Sequence, residues 1–151
     1  MRVPREWLHE YCAPPVTTAE LASALDLSGT KVERVERHGV DELEAFVVGR
    51  VLTAGRHPDA DRLVVCTVDL GDGGDPAQIV CGAPNVAAGQ VVAVARPGAV
   101  MPDGTRLEAA KLRGVESQGM ILAEDELAIG TDHDGIIVLA PERDGIRPGT
   151  P

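Results

Sequence analysis

The middle of the chain carries the side chains best suited to binding a polyanion. Arginine and lysine on a folded surface contact RNA phosphates without reading the base sequence. The alternative is that these cations are solvated charges that balance Glu108 and Glu116. Three further arginines, Arg50, Arg56 and Arg62, rank lower as candidates. The first-rank candidates for phosphate contacts are Lys111, Arg113, Arg96 and Arg106.

A second group of residues raises the question of a metal ion or of catalysis. His57, Asp59 and Asp61 stand at alternate positions, where an imidazole and two carboxylates could converge. We expect instead that Pro58 fixes a turn and that the carboxylates bond to local amides, so no metal is predicted. The sequence contains no GxSxG, GxxxxGK(S/T) or GxGxxG motif, and no catalytic residue is assigned.

Composition places the chain among ordinary globular proteins. It has 151 residues, of which 44% are hydrophobic and 25% charged. No apolar run approaches the ~20 residues of a membrane-spanning helix, and no signal-peptide core follows Met1. We therefore expect a cytoplasmic protein with no membrane partner. Cys12, Cys66 and Cys81 form an odd set without CxxC spacing, which predicts reduced, buried thiols.

The charge balance works against strong RNA binding. The net charge is −10, from 24 acidic and 14 basic residues, whereas non-specific RNA affinity comes mainly from cations. Residues 1–44 carry a net charge of −4, residues 45–115 are neutral, and residues 116–151 carry −6. The middle is thus the part least hostile to an anion. With three aromatic residues in the whole chain, recognition of single strands by base stacking is not expected.

The hydrophobic pattern changes near residue 40. The first 38 residues predict a short β-α-α-β unit, with a helix after Pro4, a second helix after the Thr17–Glu20 capping box, and a weak strand at Lys31–Glu36. This unit has too little apolar surface to stand alone, so we expect it to dock either on the rest of this chain or on residues beyond its end. We assign residues 1–40 to this incomplete α+β segment and residues 41–151 to a second domain.

From Ala45 onward, β-branched runs alternate with turns rich in Gly, Pro and Asp. Many short strands at close spacing favour a small barrel over a βαβ protein. Acidic residues before Leu127 predict the first turn of a short helix. The predicted strands are Phe46–Thr53, Leu63–Leu70, Gln78–Cys81, Val91–Ala95, Ala109–Arg113, Gly119–Leu122 and Ile136–Leu139.

Five separated motifs occur in order within this region. They are His57–Leu63, Cys66 with Val68-Asp69, Ile79–Val86, Ala95–Ala99 and Lys111–Met120. Together they resemble the tRNA-binding OB-fold module of several synthetase-associated proteins, over about residues 45–123. The flanking segments resemble the bacterial phenylalanyl-tRNA synthetase β subunit, namely Met1–Pro4, Trp7-Leu8, Val32–Glu36, Asp132–Ile136 and Pro148–Pro151.

This resemblance implies a fold and a set of binding positions. The fold would be mainly β, a five-stranded OB-fold barrel with extra strands, preceded by a small docking unit that residues beyond 151 complete. Ala123 and Gln118 depart from the usual Ser and Glu of these subunits. The positions that the resemblance associates with the RNA-binding face are Ser117, Gly119, Met120 and Asn85. The structural alternative is a cap of the turn before Val86 for Asn85 and core filling for Met120, with Gly82 and Gly114 at bends of the barrel.

The resemblance also implies partners and cofactors. The parent enzyme would attach phenylalanine to its tRNA with ATP, and its partners would be folded tRNA, an α subunit and the remaining β-subunit domains. ATP and magnesium would bind outside this sequence, so no cofactor is assigned to it.

Two functions remain open. The first is an accessory tRNA-binding module, weak on its own, and the second is a structural OB domain with little or no contact to tRNA. A free-standing tRNA-binding dimer would use the same barrel, but the segments before residue 38 argue against it.

Overall fold

Two units make up the chain, residues 1–37 and residues 38–151. The computed structural model describes residues 1–40, 42–140 and 145–151. The first unit contains helices α1 (Arg5–Tyr11) and α2 (Thr18–Leu27). The second unit contains the strands and one short 3-10 helix.

The capping box predicted for the second helix is present. The Thr17 hydroxyl accepts a hydrogen bond from the Glu20 N–H at 3.2 Å, and the Glu20 carboxylate accepts one from the Thr17 N–H at 2.8 Å. Neither helix contains a buried residue. Trp7 and Tyr11 contact each other edge to face, with ring centroids 6.1 Å apart, but both side chains are largely exposed. The first unit therefore has helices without a core of its own.

The strand predicted at Lys31–Glu36 is wrong, and so is the β-α-α-β pattern, because the structure forms no strand within residues 1–37. The Val32 N–H donates to the Asp26 carboxylate, and Glu36 forms ion pairs with Arg2 and Arg34. A strand is stable only when a neighbouring strand accepts its ladder hydrogen bonds. Here the Val32 N–H bonds to a side chain and no strand of the described residues pairs with the segment, so it stays irregular.

The second unit is built from short strands. Among its described residues they are β1 (Phe46–His57), β2 (Ala60–Asp69), β3 (Ala77–Cys81), β4 (Val91–Ala95), β5 (Ala110–Leu112), β6 (Val115–Ser117), β7 (Met120–Ile121) and β8 (Val138–Leu139). The acidic segment predicted to be helical forms a 3-10 helix at Asp125–Leu127.

The main sheet follows the order β3-β2-β1-β4-β7, with every pairing antiparallel. The long strand β1 pairs with β4 over Phe46–Arg50 and with β2 over Arg50–His57. Strand β8 pairs with the first part of β4. The sheet curls into a nearly closed five-stranded barrel, which confirms the predicted OB-type fold.

The gap between β3 and β7 is bridged by the segment just before β7. The Gln118 N–H donates to the Gln78 carbonyl at 2.8 Å, and the Val80 N–H donates to the Ser117 hydroxyl at 3.0 Å. Outside this barrel, β5 and β6 pair only with each other. The described strands thus form one barrel and one separate hairpin.

The strand at Val91–Ala95 was predicted with the observed bounds, whereas β1 and β2 are longer than predicted. Strand β6 was missed, because a single strand was expected over Ala109–Arg113. Arg113 and Gly114 have φ angles of 50° and 88°, and they form the turn between β5 and β6. An arginine with positive φ is uncommon, so its type gives no warning of a turn.

Aliphatic side chains fill the barrel. Val51, Cys66, Val68, Ile79 and Val92 are fully buried in one cluster, and a second cluster gathers Phe46, Ala95, Ala99 and Leu122. Burial raises the pKa of the Cys66 thiol to about 11, with a smaller contribution from Cys81, and burial also raises the pKa of Cys81. Cys12 is exposed, so the prediction of buried thiols is wrong for that residue.

Thiol accessibility tests this core. At pH 8, with a large excess of a thiol reagent, we expect rapid labelling of Cys12 only, because Cys66 and Cys81 are buried and remain protonated. Adding urea should release the two slow thiols together. Rapid labelling of all three in native buffer would contradict the described packing.

Gly119 provides a second test. Its φ is +135°, and a Cβ atom there would lie 2.6 Å from the Ala95 carbonyl oxygen. We expect Gly119→Ala to lower the free energy of unfolding by about 3 kcal/mol, because backbone strain adds to the clash. Gly89→Ala is the matched control, since Gly89 has a φ of +88° but no atom within 4 Å of its Cβ position. The control should lose about 1 kcal/mol, and urea denaturation followed by far-UV circular dichroism measures both.

Candidate nucleic-acid interface

The β5–β6 hairpin presents two cations to solvent. Its register pairs Lys111 with Glu116 and Leu112 with Val115, and Arg113 lies at the turn. The side chains of Lys111 and Arg113 are exposed, and neither forms an ion pair within residues 1–40, 42–140 and 145–151. Both charges are therefore exposed and outside any ion pair of the described residues, although Glu116 is the cross-strand neighbour of Lys111.

The other two predicted cations differ from each other. Arg96 is partly buried directly after β4, and its guanidinium forms an ion pair with Asp72 at 3.1 Å. A second contact runs from Arg96 Nη2 to the Leu70 carbonyl at 3.4 Å, while its Nε is buried without a hydrogen-bond partner among the described residues. Arg106 is exposed, bridges Val100 through its backbone, and makes no ion pair in the described part of the chain. Of these two, Arg106 is the more available to phosphate.

A groove of about 490 Å³ lies between Arg96 and the hairpin side of the barrel. Arg96 and Pro97 line one part of it, and Ala109, Glu116 and Gln118 line another. Asp72 and Asp75 also line this groove, so its lining contains three carboxylates and one guanidinium. Like charges repel a phosphate at short range. The groove is thus a less favourable site for an anion than the exposed hairpin.

Ser117 and Gly119 are used inside the barrel. Both are buried, and the Ser117 hydroxyl accepts from the Val80 N–H at 3.0 Å and donates to the Gly119 carbonyl at 2.9 Å. Gly119 gives room for the Ala95 carbonyl, as described above. These contacts give the two residues a structural role in closing the barrel.

Asn85 and Met120 also make internal contacts. The Asn85 amide forms two hydrogen bonds with the backbone of Ile136, one accepted at 2.9 Å and one donated at 3.0 Å. Asn85 thereby ties the segment after β3 to the segment before β8. Met120 is partly buried and packs on the cluster around Phe46 and Leu122. The structure therefore gathers Lys111 and Arg113 on one hairpin, with Ser117 at its base, but places Asn85 elsewhere.

His57 has a structural role that the sequence did not indicate. His57 was considered as a metal ligand, yet it is buried, and its ring bonds to the Asp59 N–H and to the Leu112 carbonyl. No group of three His, Cys, Asp or Glu side chains within the described ranges could hold a metal ion. Local hydrogen bonds are expected at the Pro58-Asp59 turn, but nothing in the sequence indicates the bond between His57 and Leu112. No helix among these residues is long and apolar enough to cross a membrane.

Fold and site together define an OB-type barrel with a basic hairpin on its surface. The chain belongs to the tRNA-binding domain family, because the family model described as "Putative tRNA binding domain" matches residues 46–150. Among solved structures, it is similar to the C-terminal domain of Plasmodium vivax p43, with 26% identity, a TM-score of 0.50, and coverage of 73% of this chain and 61% of that one. The MetRS-related protein from Pyrococcus horikoshii shares the fold, with 24% identity, a TM-score of 0.51, and coverage of 77% and 97%.

The chain is also homologous to phenylalanine–tRNA ligase β subunits over most of its length. The protein from Nitratidesulfovibrio vulgaris is 52% identical over 134 residues, which cover 89% of this chain and 16% of that subunit. The one from Bacteroides thetaiotaomicron is 50% identical over 152 residues, covering 94% and 18%. The chain thus spans less than a fifth of the length of these relatives.

The role of Ser117 in closing the barrel can be tested by measuring the free energy of unfolding. We expect Ser117→Ala to lower the free energy of unfolding by about 1–3 kcal/mol, because the buried Val80 N–H loses its acceptor. Thr131→Ala is the control, since that exposed side chain makes no hydrogen bond in the described part of the chain. Urea denaturation of both variants gives the comparison. An equal loss of unfolding free energy in both variants would show that the Ser117 hydroxyl does not contribute to barrel closure.

Proposed function

We propose that this chain is an accessory tRNA-contacting module of a phenylalanine–tRNA ligase β subunit. The observation that carries the proposal is the exposed hairpin, on which Lys111 and Arg113 form no ion pair in the described residues, although Glu116 is the cross-strand neighbour of Lys111. Arg106 is a third exposed cation in the same neutral segment. These side chains would contact phosphates and so recognise the shape of a folded tRNA.

The strength of this contact would be modest. A few phosphate contacts with a net charge of −10 give weak binding that depends steeply on salt. The contact would therefore matter chiefly when other parts of the enzyme hold the same tRNA, because linked sites raise each other's effective concentration.

The proposed parent enzyme sets the wider context. By its similarity to the β subunits, the chain would take part in ATP-dependent attachment of phenylalanine to tRNA in the cytoplasm. Its protein partners would be an α subunit and the remaining β-subunit domains. ATP and magnesium would bind to those other parts, and this chain would contribute no catalytic residue.

The first unit supports the idea of a longer parent. Neither of its helices buries a residue, and Trp7 is 53% exposed and Tyr11 77% exposed. Large aromatic side chains left in water on one helix are typical of a surface that another element covers. We propose that a later segment of the β subunit completes this unit, residues 1–40, and that residues 41–151 form the barrel domain.

A second function is favoured by one observation. Four predicted binding residues, Arg96, Ser117, Gly119 and Asn85, are engaged inside the protein. A barrel with these residues engaged and an acid-lined groove could serve as a structural domain with little contact to tRNA. The two functions differ in whether the hairpin cations affect RNA affinity.

Titration of the 151-residue chain with a folded phenylalanine tRNA distinguishes them. We expect saturable binding at low salt, and we expect a Lys111→Glu, Arg113→Glu double variant to lower the affinity at least tenfold. The slope of log affinity against log salt should fall in magnitude by about 1.4–1.8, since each lost phosphate contact contributes roughly 0.7–0.9.

The matched control carries the same change in charge outside the hairpin and outside the other candidate phosphate contacts. Lys31 and Arg147 are exposed, and neither forms an ion pair among the described residues. A Lys31→Glu, Arg147→Glu double variant should keep most of the affinity and the salt slope. If both double variants lose the same tRNA affinity, the loss comes from the change in net charge and not from the hairpin. If the native chain does not bind tRNA at low salt, the structural function is favoured.

A further inference from the structure

His57 connects the barrel to the basic hairpin. It ends strand β1 and is only 4% exposed. Its Nδ1 accepts a hydrogen bond from the Asp59 N–H at 3.1 Å, and its Nε2 lies 3.0 Å from the Leu112 carbonyl oxygen. Because Nδ1 acts as an acceptor, the ring proton lies on Nε2 and is donated to Leu112. The imidazole therefore uses both nitrogens, one for its own turn and one for the hairpin.

The hairpin needs this support. A two-stranded hairpin is marginally stable by itself, and all three residues of β5 are exposed. Strand β6 and the residue after it bond to β3 through three contacts, which involve Glu116, Ser117 and Gln118. Strand β5 has one hydrogen bond from outside the hairpin among the described residues, and His57 donates it.

The hydrogen bond from His57 reaches the hairpin at the residue between its two cations. Leu112 lies between Lys111 and Arg113, directly before the turn. Fixing the Leu112 carbonyl thus fixes the backbone from which both cationic side chains extend. Without it, β5 could separate from the barrel while β6 stayed attached, and the two charges would lose their common placement.

We propose that His57 is a positioning residue for tRNA binding, which sets the location of Lys111 and Arg113 by anchoring β5. The inference rests on the proposed function, since it assigns to the hairpin the role of contacting RNA. His57 itself touches no phosphate, because it is buried behind the strand that it anchors.

Two conservative variants separate the two hydrogen bonds of the ring. The amide of glutamine reaches the position of Nε2 and can donate to Leu112, whereas the shorter amide of asparagine reaches the position of Nδ1 and can accept from Asp59. Both remove the imidazole and cost stability. Only His57→Asn removes the anchor of β5.

Hairpin anchoring is measured first, without RNA. Trypsin cuts after Lys111 and Arg113, and the cleavage rate reports opening of the hairpin in the folded chain. We expect His57→Asn to raise this rate about tenfold relative to the native chain, the effect of one lost hydrogen bond, and His57→Gln to change it less than twofold. Urea denaturation of both variants identifies any cleavage that comes from global unfolding. Equal cleavage rates in the two variants, after that correction, would overturn the proposal.

Titration with folded phenylalanine tRNA is measured second. We expect about tenfold weaker binding for His57→Asn and nearly native binding for His57→Gln. Faster cleavage of His57→Asn with unchanged tRNA affinity would refute the positioning role while leaving the anchor in place. If the charge-reversed hairpin variant binds tRNA as well as the native chain, the proposed function fails, and the positioning role fails with it. The cleavage rates alone then decide whether His57 anchors the hairpin.

Discussion

Closure of the barrel between β3 and β7 is the constraint on which the rest of the second unit depends. Both strands are short, and a plain ladder between them would leave polar groups of β3 without partners inside the protein. The Ser117 hydroxyl and the Gln118 amide supply those partners, and Gly119 lets the chain pass the Ala95 carbonyl. With the gap bridged, the aliphatic side chains on the inner faces of the strands are enclosed. A core of valine and isoleucine is stable here because the fold removes its open sheet edge.

The same closure decides where charge can be displayed. The chain reaches Ser117 through the β5–β6 hairpin, which lies outside the sheet and pairs only with itself. Its strand β5 is exposed along its whole length, and Lys111 and Arg113 form no ion pair among the described residues. Arg96, by contrast, lies where strand and loop converge, and Asp72 compensates its charge. Neighbouring residues of one motif thus differ in role: Ser117 closes the barrel, whereas Lys111 and Arg113 carry exposed charge.

The sequence predicted the barrel because its signals are local. In β2 the buried Cys66 and Val68 alternate with Thr67 and Asp69, and turn residues separate the strands. The details of the site depend on contacts between distant segments, which periodicity does not report. His57 and Leu112 are 55 residues apart, and Asn85 and Ile136 are 51 apart. Arg113 occupies a turn that residue type does not predict, and the expected strand at Lys31–Glu36 found side-chain partners instead of a ladder. The resemblance identified the motif positions, but only the structure shows which of them face inward.

The uneven placement of the aromatic residues has a practical consequence for spectroscopy. The single tryptophan and the single tyrosine both lie in α1, and the barrel contains one phenylalanine. Intrinsic fluorescence of this protein therefore reports on the environment of one short helix, and the emission of Trp7 in water is already that of an exposed indole. The barrel could lose its tertiary structure with little change in that emission. Conversely, a shift of the emission to shorter wavelength on adding another protein segment would show that α1 has become covered, with almost no background from the barrel.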